Sequence, residues 1–544
     1  MPSRRSAYDY VIVGAGSAGC VLANRLTEDR DTTVLLVEAG GRDLNPFIHM
    51  PAGIAKLVGD RRIDWQFYTE PERQLAGRRL YWPRGRVLGG SSSINAMCYT
   101  RGAAADYDEW AAMGLTQWGY RNVLPYFRKA ERHVGGASEY HGDHGPLVVE
   151  DLRYRNPLST VFVEAAAASG MPRNDDFNGV RQEGFGYYQV TQNRGRRCSA
   201  ATAYLHPVRK RPNLTVITRA TTTRVLVERG RAVGIEYRHR GQTHSVHVER
   251  EVLLAAGAVS SPQLLMLSGI GPPAELEVWD IPVAAALNSV GENLQDHLDF
   301  CTLQKCTQPI TYDFGILGEL AVGLRYLATR SGPGVSNVAE AGGFARSPLA
   351  PDERADLQFH FVPAQLDDHG RNRLPGHGYT LHVCVLRPES RGRILLRSAS
   401  VADPPRIEAN YLSDERDLAQ LVSGVRLSRE ILAAAPFDPY RGAEVFPGSG
   451  AQTDQELAAV IREKAETIYH PVGTCRMGID ADSVVDAELR VRGIERLRVI
   501  DASVMPSLIG GNTNAPTIMI AEKIADILRG RTPEGQSQAP IFAP

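Results

Sequence analysis

The sequence contains no Cys-x-x-Cys pair and no cluster of cysteines and histidines with the spacing of a zinc site. Its seven cysteines are scattered and odd in number, which favours a reduced compartment and no structural metal. Blocks of like charge are missing too, since the net charge is −1 and the charged residues are spread along the chain. This balance argues against nucleic acid as a partner and against strong electrostatic attraction to a membrane.

An uninterrupted apolar segment that could cross a membrane is also missing. Residues 252–274 carry no charge, but a Ser-Ser-Pro sequence lies in their middle, so a strand, a turn and a short helix fit better. The apolar run after Arg4 and Arg5 is too short for a signal segment and leads into a glycine turn. We therefore predict a soluble, cytoplasmic protein with, at most, peripheral membrane contact.

A nucleotide-binding pattern is present near the start of the chain. Residues 10–13 form an apolar run, and Gly14, Gly16 and Gly19 follow as G-x-G-x-x-G before helical spacing begins. These glycines allow a tight turn, close approach of a pyrophosphate and close packing of a helix whose N-terminus faces the anion. A second apolar run ends in Glu38, whose carboxylate can accept ribose hydroxyls and disfavours a 2′-phosphate. The pattern predicts NAD or FAD rather than NADP.

Two further glycine- and serine-rich loops decide between these cofactors. They occupy residues 82–97 and 257–272, far along the chain from the first turn. Their peptide N–H groups can wrap a second part of a large cofactor. NAD needs one glycine loop, whereas the longer FAD is usually enclosed by several segments, so we predict FAD.

These two loops resemble the signature patterns of the glucose–methanol–choline (GMC) family of FAD oxidoreductases. The sequence VGENLQDH at residues 290–297 and the segment 498–526 resemble that family as well, and the matches extend from about residue 8 to about residue 530. Within the family, the likeness is greatest to bacterial choline-dehydrogenase-like enzymes, and among those to the FAD alcohol dehydrogenases of alkane degradation. The final histidine of VGENLQDH, His297, is expected to pack beside the cofactor.

The resemblance implies an α/β fold, α+β overall, in which a Rossmann-type FAD-binding domain is interleaved with a substrate domain built on a mixed or antiparallel sheet backed by helices. Leu357–Val362 and residues 379–386 are predicted as strands of the substrate sheet, with the GRILLRS segment as its next strand. The expected FAD-binding domain comprises residues 1–154, 200–297 and 468–531, the substrate domain residues 155–199 and 298–467, and a flexible tail residues 532–544.

The same resemblance places the catalytic pair at His470 and Asn512, with Asn514 as the second choice for the amide. Alcohol oxidation removes a hydroxyl proton and moves a hydride to flavin N5, and a histidine can take that proton at neutral pH. An asparagine can hold the alcohol oxygen but cannot act as a base. Pro516 is predicted in the first turn of a helix that ends at Gly530, with its N-terminus towards the flavin.

The resemblance also predicts the cofactor contacts. In some family members a histidine in the Gly89-Gly90 loop attaches FAD covalently, but Ile94 occupies that position here, so non-covalent FAD is expected. The predicted FAD-binding residues are Gly14, Gly16, Ser17, Ala18, Gly19, Glu38, Ala39, Arg84, Gly89, Gly90, Ser91, Asn95, Ala96, Val225, Ala256, Gly257, Asp501, Ala502, Asn512 and Thr513.

The predicted reaction is oxidation of a primary alcohol to the aldehyde, with electrons passed to a quinone or another non-oxygen acceptor, and the resemblance favours aliphatic or aryl-substituted alcohols. Choline dehydrogenase and an alcohol oxidase that uses O₂ stay open as alternatives, while the retained His470 and Asn512 argue against a light-driven decarboxylase. Choline would need an aromatic cage with a carboxylate nearby. The predicted substrate contacts are Trp65, Glu340, His360 and Asn514, of which the first two are the candidate cage members.

Overall fold

The computed structural model describes residues 6–531, and the predicted tail of residues 532–544 lies outside the described residues. The strands of the two large sheets are β1 (Ala7–Val13), β2 (Val34–Glu38), β3 (Gly184–Tyr187), β4 (Leu214–Thr218), β5 (Ala220–Glu228), β6 (Arg231–His239), β7 (Gln242–Leu254), β8 (Leu298–Cys306), β9 (Ala341–Ala345), β10 (Leu357–Val362), β11 (Gly378–Val385), β12 (Arg441–Phe446), β13 (Glu466–Thr467) and β14 (Leu497–Val499). The longer helices are α1 (Ser17–Leu26), α2 (Ala104–Ala112), α3 (Tyr120–Ala130), α4 (Pro157–Ala168), α5 (Gly257–Leu267), α6 (Gly315–Thr329), α7 (Glu415–Ala433), α8 (Asp454–Lys464) and α9 (Asn514–Leu528).

The first sheet has the strand order β4-β2-β1-β7-β6-β5, with β14 paired to β7. Strands β4, β2, β1, β7 and β14 run parallel, and β5, β6 and the first half of β7 form an antiparallel meander. Every residue of β2 is buried, as expected for a parallel strand covered on both faces. Helices α1 and α9 pack against each other beside this sheet.

The carboxyl ends of the parallel strands meet at one edge of this sheet. The first glycine turn follows β1, Glu38 ends β2, Ala255 follows β7 and Asp501 follows β14 closely. Open α/β sheets bind ligands at this edge, outside the carboxyl ends of their strands. The topology therefore brings four segments that are distant in sequence to one place.

The second sheet has the order β12-β8-β11-β10-β9-β3, with β13 paired to β8, and all of its pairings are antiparallel. Helix α7 packs on β11, and α4 packs on β3 and β9. Strands β10 and β11 are buried at every position, so they show no alternation of buried and exposed residues. The GRILLRS segment forms the strand Arg393–Leu395, but this strand pairs with Arg406–Glu408 in a separate two-stranded sheet, so its predicted place in the large sheet is wrong.

The predicted fold class is confirmed: a parallel nucleotide-binding sheet is combined with an antiparallel sheet backed by helices. Strands of the first sheet come from residues 7–38, 214–254 and 497–499, and strands of the second from residues 184–187 and 298–467. The domain boundaries themselves stay a prediction. Within residues 6–531, no helix is both long enough and apolar enough to cross a membrane.

Candidate active site

A cavity of about 1330 Å³ extends from the carboxyl ends of β1, β2 and β7 to β10 and β11 of the second sheet. Typical ligand pockets measure about 300–1,000 Å³. This cavity is therefore large enough for an extended cofactor together with a small substrate. Both the glycine turn and His470 line it, at Gly14 and Gly16 on one side and at the imidazole on the other.

The glycine turn after β1 leaves no room for side chains except towards the cavity. Gly14 has φ +97°, and a Cβ there would lie 2.5 Å from the carbonyl oxygen of Ala255. A Cβ on Gly19 would lie 1.9 Å from the carbonyl oxygen of Gly14, so this glycine lets α1 pack on the turn. In contrast, a Cβ on Gly16 would meet only one atom within 4 Å, at 4.0 Å. Gly16 thus presents bare backbone to the cavity, as close approach of a pyrophosphate requires.

Glu38 is buried at the end of β2 and fastens the glycine turn. The N–H of Ala15 donates to its Oε2 at 2.8 Å, and the N–H of Gly40 donates to its Oε1 at 2.7 Å. Burial raises the pKa of Glu38 to about 7, although these two N–H groups favour the carboxylate. Each carboxylate oxygen keeps a further lone pair, so Glu38 can accept hydroxyl groups of a ribose without releasing the turn.

The second glycine loop packs directly on the first. A Cβ on Gly90, which has φ +54°, would lie 2.7 Å from the Cα of Gly16. The short 3₁₀ helix Gly90–Ser93 therefore begins beside the first glycine turn. This contact could not be read from either loop alone, since the residues are far apart in the sequence.

Two helix N-termini face the same cavity. The Oγ of Ser17, the first residue of α1, donates to Oδ1 of Asn514, the first residue of α9, at 2.7 Å. Free N–H groups and the helix dipole make such termini favourable sites for anions. The contact also places Asn514 beside the glycine turn, whereas Asn512 is the asparagine that contacts His470.

Asp501 acts as a structural clamp at this edge of the sheet. Its Oδ2 accepts from the N–H of Gly257 at 2.8 Å and from Oγ of Ser261 at 2.6 Å, and its Oδ1 accepts from the N–H of Ser503 at 2.9 Å. Because both oxygens are engaged, its side chain joins the start of α5 to the turn after β14. Any contribution to a bound cofactor would come from the neighbouring backbone, as at Ala502, which lines the cavity.

His470 is buried in the loop after β13 and lines the cavity. Its N–H donates to Oδ1 of Asp296 at 2.7 Å, which fixes the backbone at the position of the imidazole. Its Nδ1 lies 3.0 Å from Nδ1 of His297, and its Nε2 lies 3.2 Å from Nδ2 of Asn512. Burial, reinforced by His297, lowers the pKa of His470 well below its ordinary value, so the ring is neutral.

The hydrogen bonds assign the tautomer of His470. The carbonyl oxygen of Leu386 lies 3.2 Å from Nε2 of His297 and can only accept, so this nitrogen carries the proton. Burial lowers the pKa of His297 to about 3, so its Nδ1 bears a lone pair. That lone pair accepts from Nδ1–H of His470. Nε2 of His470 is consequently unprotonated and can act as a base.

Asn512 is held with its amide nitrogen towards His470. Its Oδ1 accepts from Oγ1 of Thr100 at 3.0 Å and from Nε2 of Gln358 at 3.0 Å. Its backbone N–H donates to the same Thr100 oxygen at 2.9 Å. With two donors on its oxygen, the amide cannot flip without losing both hydrogen bonds, so Nδ2–H stays aimed at the base.

Two further histidines, His360 on β10 and His382 on β11, form a cross-strand pair and line the cavity. Nδ1 of His382 lies 2.7 Å from Oδ2 of Asp299, and Cys301 is also close, at 3.1 Å from the same nitrogen. These three side chains could approach a metal ion together. The expectation of no metal therefore stays a prediction. Nδ1 of His360 has no hydrogen-bond partner within residues 6–531.

The structure collects most of the predicted residues around the cavity. Those that line it are Gly14, Gly16, Ser17, Ala18, Glu38, Ala39, Trp65, Arg84, Gly90, Ser91, Asn95, Ala96, Ala256, Gly257, His360, His470, Asp501, Ala502, Asn512, Thr513 and Asn514. Four predicted residues do not belong to this lining, namely Gly19, Gly89, Val225 and Glu340. Glu340 is fully buried and accepts from the hydroxyl groups of Tyr312, Ser159 and Ser336.

Sequence reasoning missed the residues that orient His470 and Asn512. Asp296 and His297 lie in the VGENLQDH segment, which is expected to place His297 beside the cofactor, but the contact of its ring with His470 was not predicted. Thr100 and Gln358 lie in no recognised motif, so only their position in the fold reveals their contact with Asn512. The spacing of residues along the chain gave no indication of a role for Thr100 or Gln358.

A parallel nucleotide-binding sheet, two packed glycine turns, a buried acid at the end of β2 and an imidazole–amide pair all border one cavity, which is the arrangement expected of a flavin-dependent oxidoreductase. Family models described as GMC oxidoreductase match residues 8–299 and 388–521. The chain belongs to the GMC oxidoreductase family, and FAD is its cofactor.

Similar proteins agree with this assignment. An alcohol dehydrogenase [acceptor] of Pseudomonas putida is 51% identical over 96% of this chain and 95% of its own length. The mitochondrial choline dehydrogenase of Mus musculus is 49% identical over 99% of this chain and 92% of its own. A formate oxidase from Aspergillus oryzae, whose structure was solved to study the effect of a mutation on FAD modification, is 28% identical to this chain. The two structures superpose with a TM-score of 0.91, and the match covers 96% of this chain and 98% of the formate oxidase chain.

The cavity supports non-covalent attachment of FAD. Ile94, which lines the cavity, lies next to the Gly90–Ser93 turn and offers no nucleophilic atom for a bond to the flavin. We expect trichloroacetic acid to release all of the yellow colour of the holoenzyme into the supernatant, measured by its absorbance spectrum. Colour that remains in the protein pellet would show a covalent bond at another residue.

Proposed function

We propose that this enzyme oxidises primary aliphatic alcohols to aldehydes and passes the electrons to a quinone or another non-oxygen acceptor. It is an FAD-dependent oxidoreductase that acts on CH–OH donors. The observation that carries the proposal is the pairing of a buried imidazole with an amide: Nε2 of His470 lies 3.2 Å from Nδ2 of Asn512 at the wall of the cavity. A base and a hydrogen-bond donor at this separation can share one alcohol oxygen.

His470 and Asn512 have different roles at the hydroxyl group of the alcohol. Nε2 of His470 accepts the hydroxyl proton, and Nδ2–H of Asn512 donates to the same oxygen and keeps it in place. As the proton moves, Nδ1–H of His470 remains bonded to His297, so the ring does not rotate away. Bound FAD supplies the acceptor for the hydride that leaves the carbinol carbon.

Several residues would hold FAD. Glu38 would accept hydroxyl groups of the ribose, and the backbone of Gly16 with the N-terminus of α1 would receive the pyrophosphate. The N-terminus of α9, which starts at Asn514, would favour negative charge on the ring system. These assignments are supported by the shape of the cradle and by the residues that line the cavity.

The part of the cavity near His470 has an aliphatic wall. Ile468 lies two residues before the base, and Val362 ends strand β10 close to His360. The side chains of this wall pack against one hydrophobic cluster and also line the cavity; they are Val338, Ala339, Val362, Ala364, Leu366 and Ile468. Such a surface gains free energy from an alkyl chain, at about 0.8 kcal/mol for each buried CH₂ group.

The candidate choline cage is less well supported. Trp65 stacks on Phe67 with ring centroids 5.7 Å apart, and the guanidinium of Arg86 lies 4.8 Å from the Trp65 ring. A ring that already contacts a cation is a poor site for a quaternary ammonium. Glu340, the carboxylate of that cage, is fully buried, does not line the cavity and already accepts from the hydroxyl groups of Ser159, Ser336 and Tyr312.

A matched pair of alcohols separates these two functions. Choline and its neutral isostere 3,3-dimethylbutan-1-ol have the same shape, so we expect the neutral alcohol to have the higher kcat/KM. In the series from ethanol to hexan-1-ol, kcat/KM should rise about fourfold for each added CH₂ group. Dye-linked rates in anaerobic solution, compared with O₂ consumption, would measure both the substrate and the acceptor preference.

Other results would favour the alternatives. A kcat/KM for choline that exceeds that for its neutral isostere would assign choline dehydrogenase activity, because the positive charge would then contribute to recognition. Turnover with O₂ that matches the rate with the dye would assign an oxidase. A quinone acceptor would place the enzyme at a membrane surface inside the cell, as a peripheral protein of the cytoplasmic side.

A further inference from the structure

Helix α6 flanks the cavity but buries almost none of its apolar side chains. Five of its leucine and isoleucine side chains are between 59% and 89% exposed, namely Ile316, Leu317, Leu320, Leu324 and Leu327. Tyr326 is the buried residue of this helix. Four of the five exposed side chains also line the cavity, so the apolar surface is continuous with its opening.

The helix is attached to the opposite rim of this opening. The hydroxyl of Tyr326 donates to the carbonyl oxygen of His49 at 3.0 Å, and Nζ of Lys56 lies 2.9 Å from Oε2 of Glu319. Val58, which follows Lys56 closely, is itself 40% exposed and lines the cavity. We name the surface formed by Val58, Ile316, Leu317, Leu320, Leu324 and Leu327 the rim surface.

Positive charge surrounds the C-terminal end of α6. Arg196 and Arg330 both act electrostatically on Tyr326, and a Cβ on Gly195 would lie 3.0 Å from the carbonyl oxygen of Arg330. Arg325 lies on α6 itself and donates to Oγ of Ser331 at 3.3 Å. All three arginines are exposed, and within residues 6–531 none of them forms an ion pair with a carboxylate.

We propose that the rim surface docks on a lipid bilayer that contains anionic headgroups, with the side chains of α6 in the interface and the arginines on the headgroups. Exposed leucines beside basic residues are the features of helices that lie in a membrane interface. The exposed arginines at one end of α6 complement the negative charge of anionic headgroups. The role of this docking rests on the proposed reduction of a quinone. The mouth of the cavity would face the bilayer, in which a quinone is dissolved.

Flotation of the holoenzyme with vesicles tests the docking without any turnover, so it can fail independently of the proposed reaction. The vesicles are phosphatidylcholine alone and phosphatidylcholine with phosphatidylglycerol. We expect the enzyme to float with the anionic vesicles and to be released at about 1 M salt, where charges are screened within about 3 Å. In the double variant Leu317→Asp with Leu324→Asp, the fraction of enzyme that floats with the vesicles should fall at least about tenfold. The double variant Arg196→Glu with Arg325→Glu should lose the preference for anionic vesicles.

A matched control is available in Val180→Asp, because Val180 is 86% exposed and does not line the cavity. It should float like the wild type, and the flavin absorbance of every variant reports that it is folded. Wild-type enzyme that ignores both kinds of vesicle would overturn the proposal, as would a leucine variant that floats like the wild type. A dimer in solution that Leu317→Asp with Leu324→Asp converts to a monomer would assign the rim surface to contacts between copies instead.

Discussion

The variant His470→Ala should retain bound FAD and lose most of its turnover, with kcat lowered by about 10²- to 10⁴-fold, the range of a lost general base. Nε2 of this ring lies 3.2 Å from the amide nitrogen of Asn512, where the two groups can hold one alcohol oxygen. The glycine cradle does not include His470, so the flavin spectrum should stay unchanged. Stopped-flow reduction of the flavin by hexan-1-ol measures the effect directly.

Two further variants show whether the loss reflects the base or the packing. His470→Gln retains a polar side chain of similar size that can still bond to Asn512 but has no basic nitrogen, so it should be impaired almost as strongly. His144→Ala is the matched control, since the His144 side chain is 95% exposed, and it should react like the wild type. Flavin reduction by His470→Gln at more than about half the wild-type rate would show that no base is needed at this position.

Replacement of Gly16 by valine should weaken FAD binding while leaving the fold intact. Gly16 has φ −77°, which any residue can adopt, and a Cβ there meets only one protein atom, at 4.0 Å. The added methyl groups would occupy the space into which the pyrophosphate must come. Overpacking costs about 1–3 kcal/mol, so the Kd for FAD should rise about fivefold to 160-fold.

The comparison with Gly450→Val isolates this effect. Gly450 is exposed and has no positive φ, and a Cβ at this position would meet nothing within 4 Å, so its valine variant should bind FAD normally. Equilibrium titration with FAD and thermal unfolding of the apoproteins together distinguish a blocked cradle from a damaged fold. If Gly16→Val binds FAD as tightly as Gly450→Val, the pyrophosphate does not lie against the first glycine turn.

How much of this could be read from the sequence depends on how local each feature is. The first glycine turn and Glu38 are encoded in one short strand–turn–helix unit and its following strand, so the pattern alone located them. The contact of Gly90 with Gly16 joins two such loops and needed the folded chain. His470 and Asn512 were located by family resemblance, because nothing in their spacing indicates that the two side chains meet.

The tautomer of His470 and the surroundings of the cavity depend on tertiary contacts that no local sequence pattern indicates. His297 and His470 lie 173 positions apart, so the hydrogen bond that sets the tautomer was beyond reach of any motif. Residue type alone did not show that Glu340 lies outside the lining of the cavity, where it accepts hydrogen bonds from buried hydroxyl groups. Strands β10 and β11 lie where they were predicted, although burial on both faces leaves them without the alternation of buried and exposed residues that marks a half-exposed sheet.

The most direct test of the central claim, a neutral His470 with its lone pair towards the substrate, is the pH dependence of kcat/KM for hexan-1-ol. A base works only when unprotonated, and burial places the pKa of His470 well below its ordinary value. We therefore expect kcat/KM to stay constant from about pH 9 down to about pH 6.5 and to fall only at lower pH, as the ring gains a proton. A decline that already begins between about pH 8 and pH 7 would contradict the account, since the base would then be protonated where this structure requires it to be neutral.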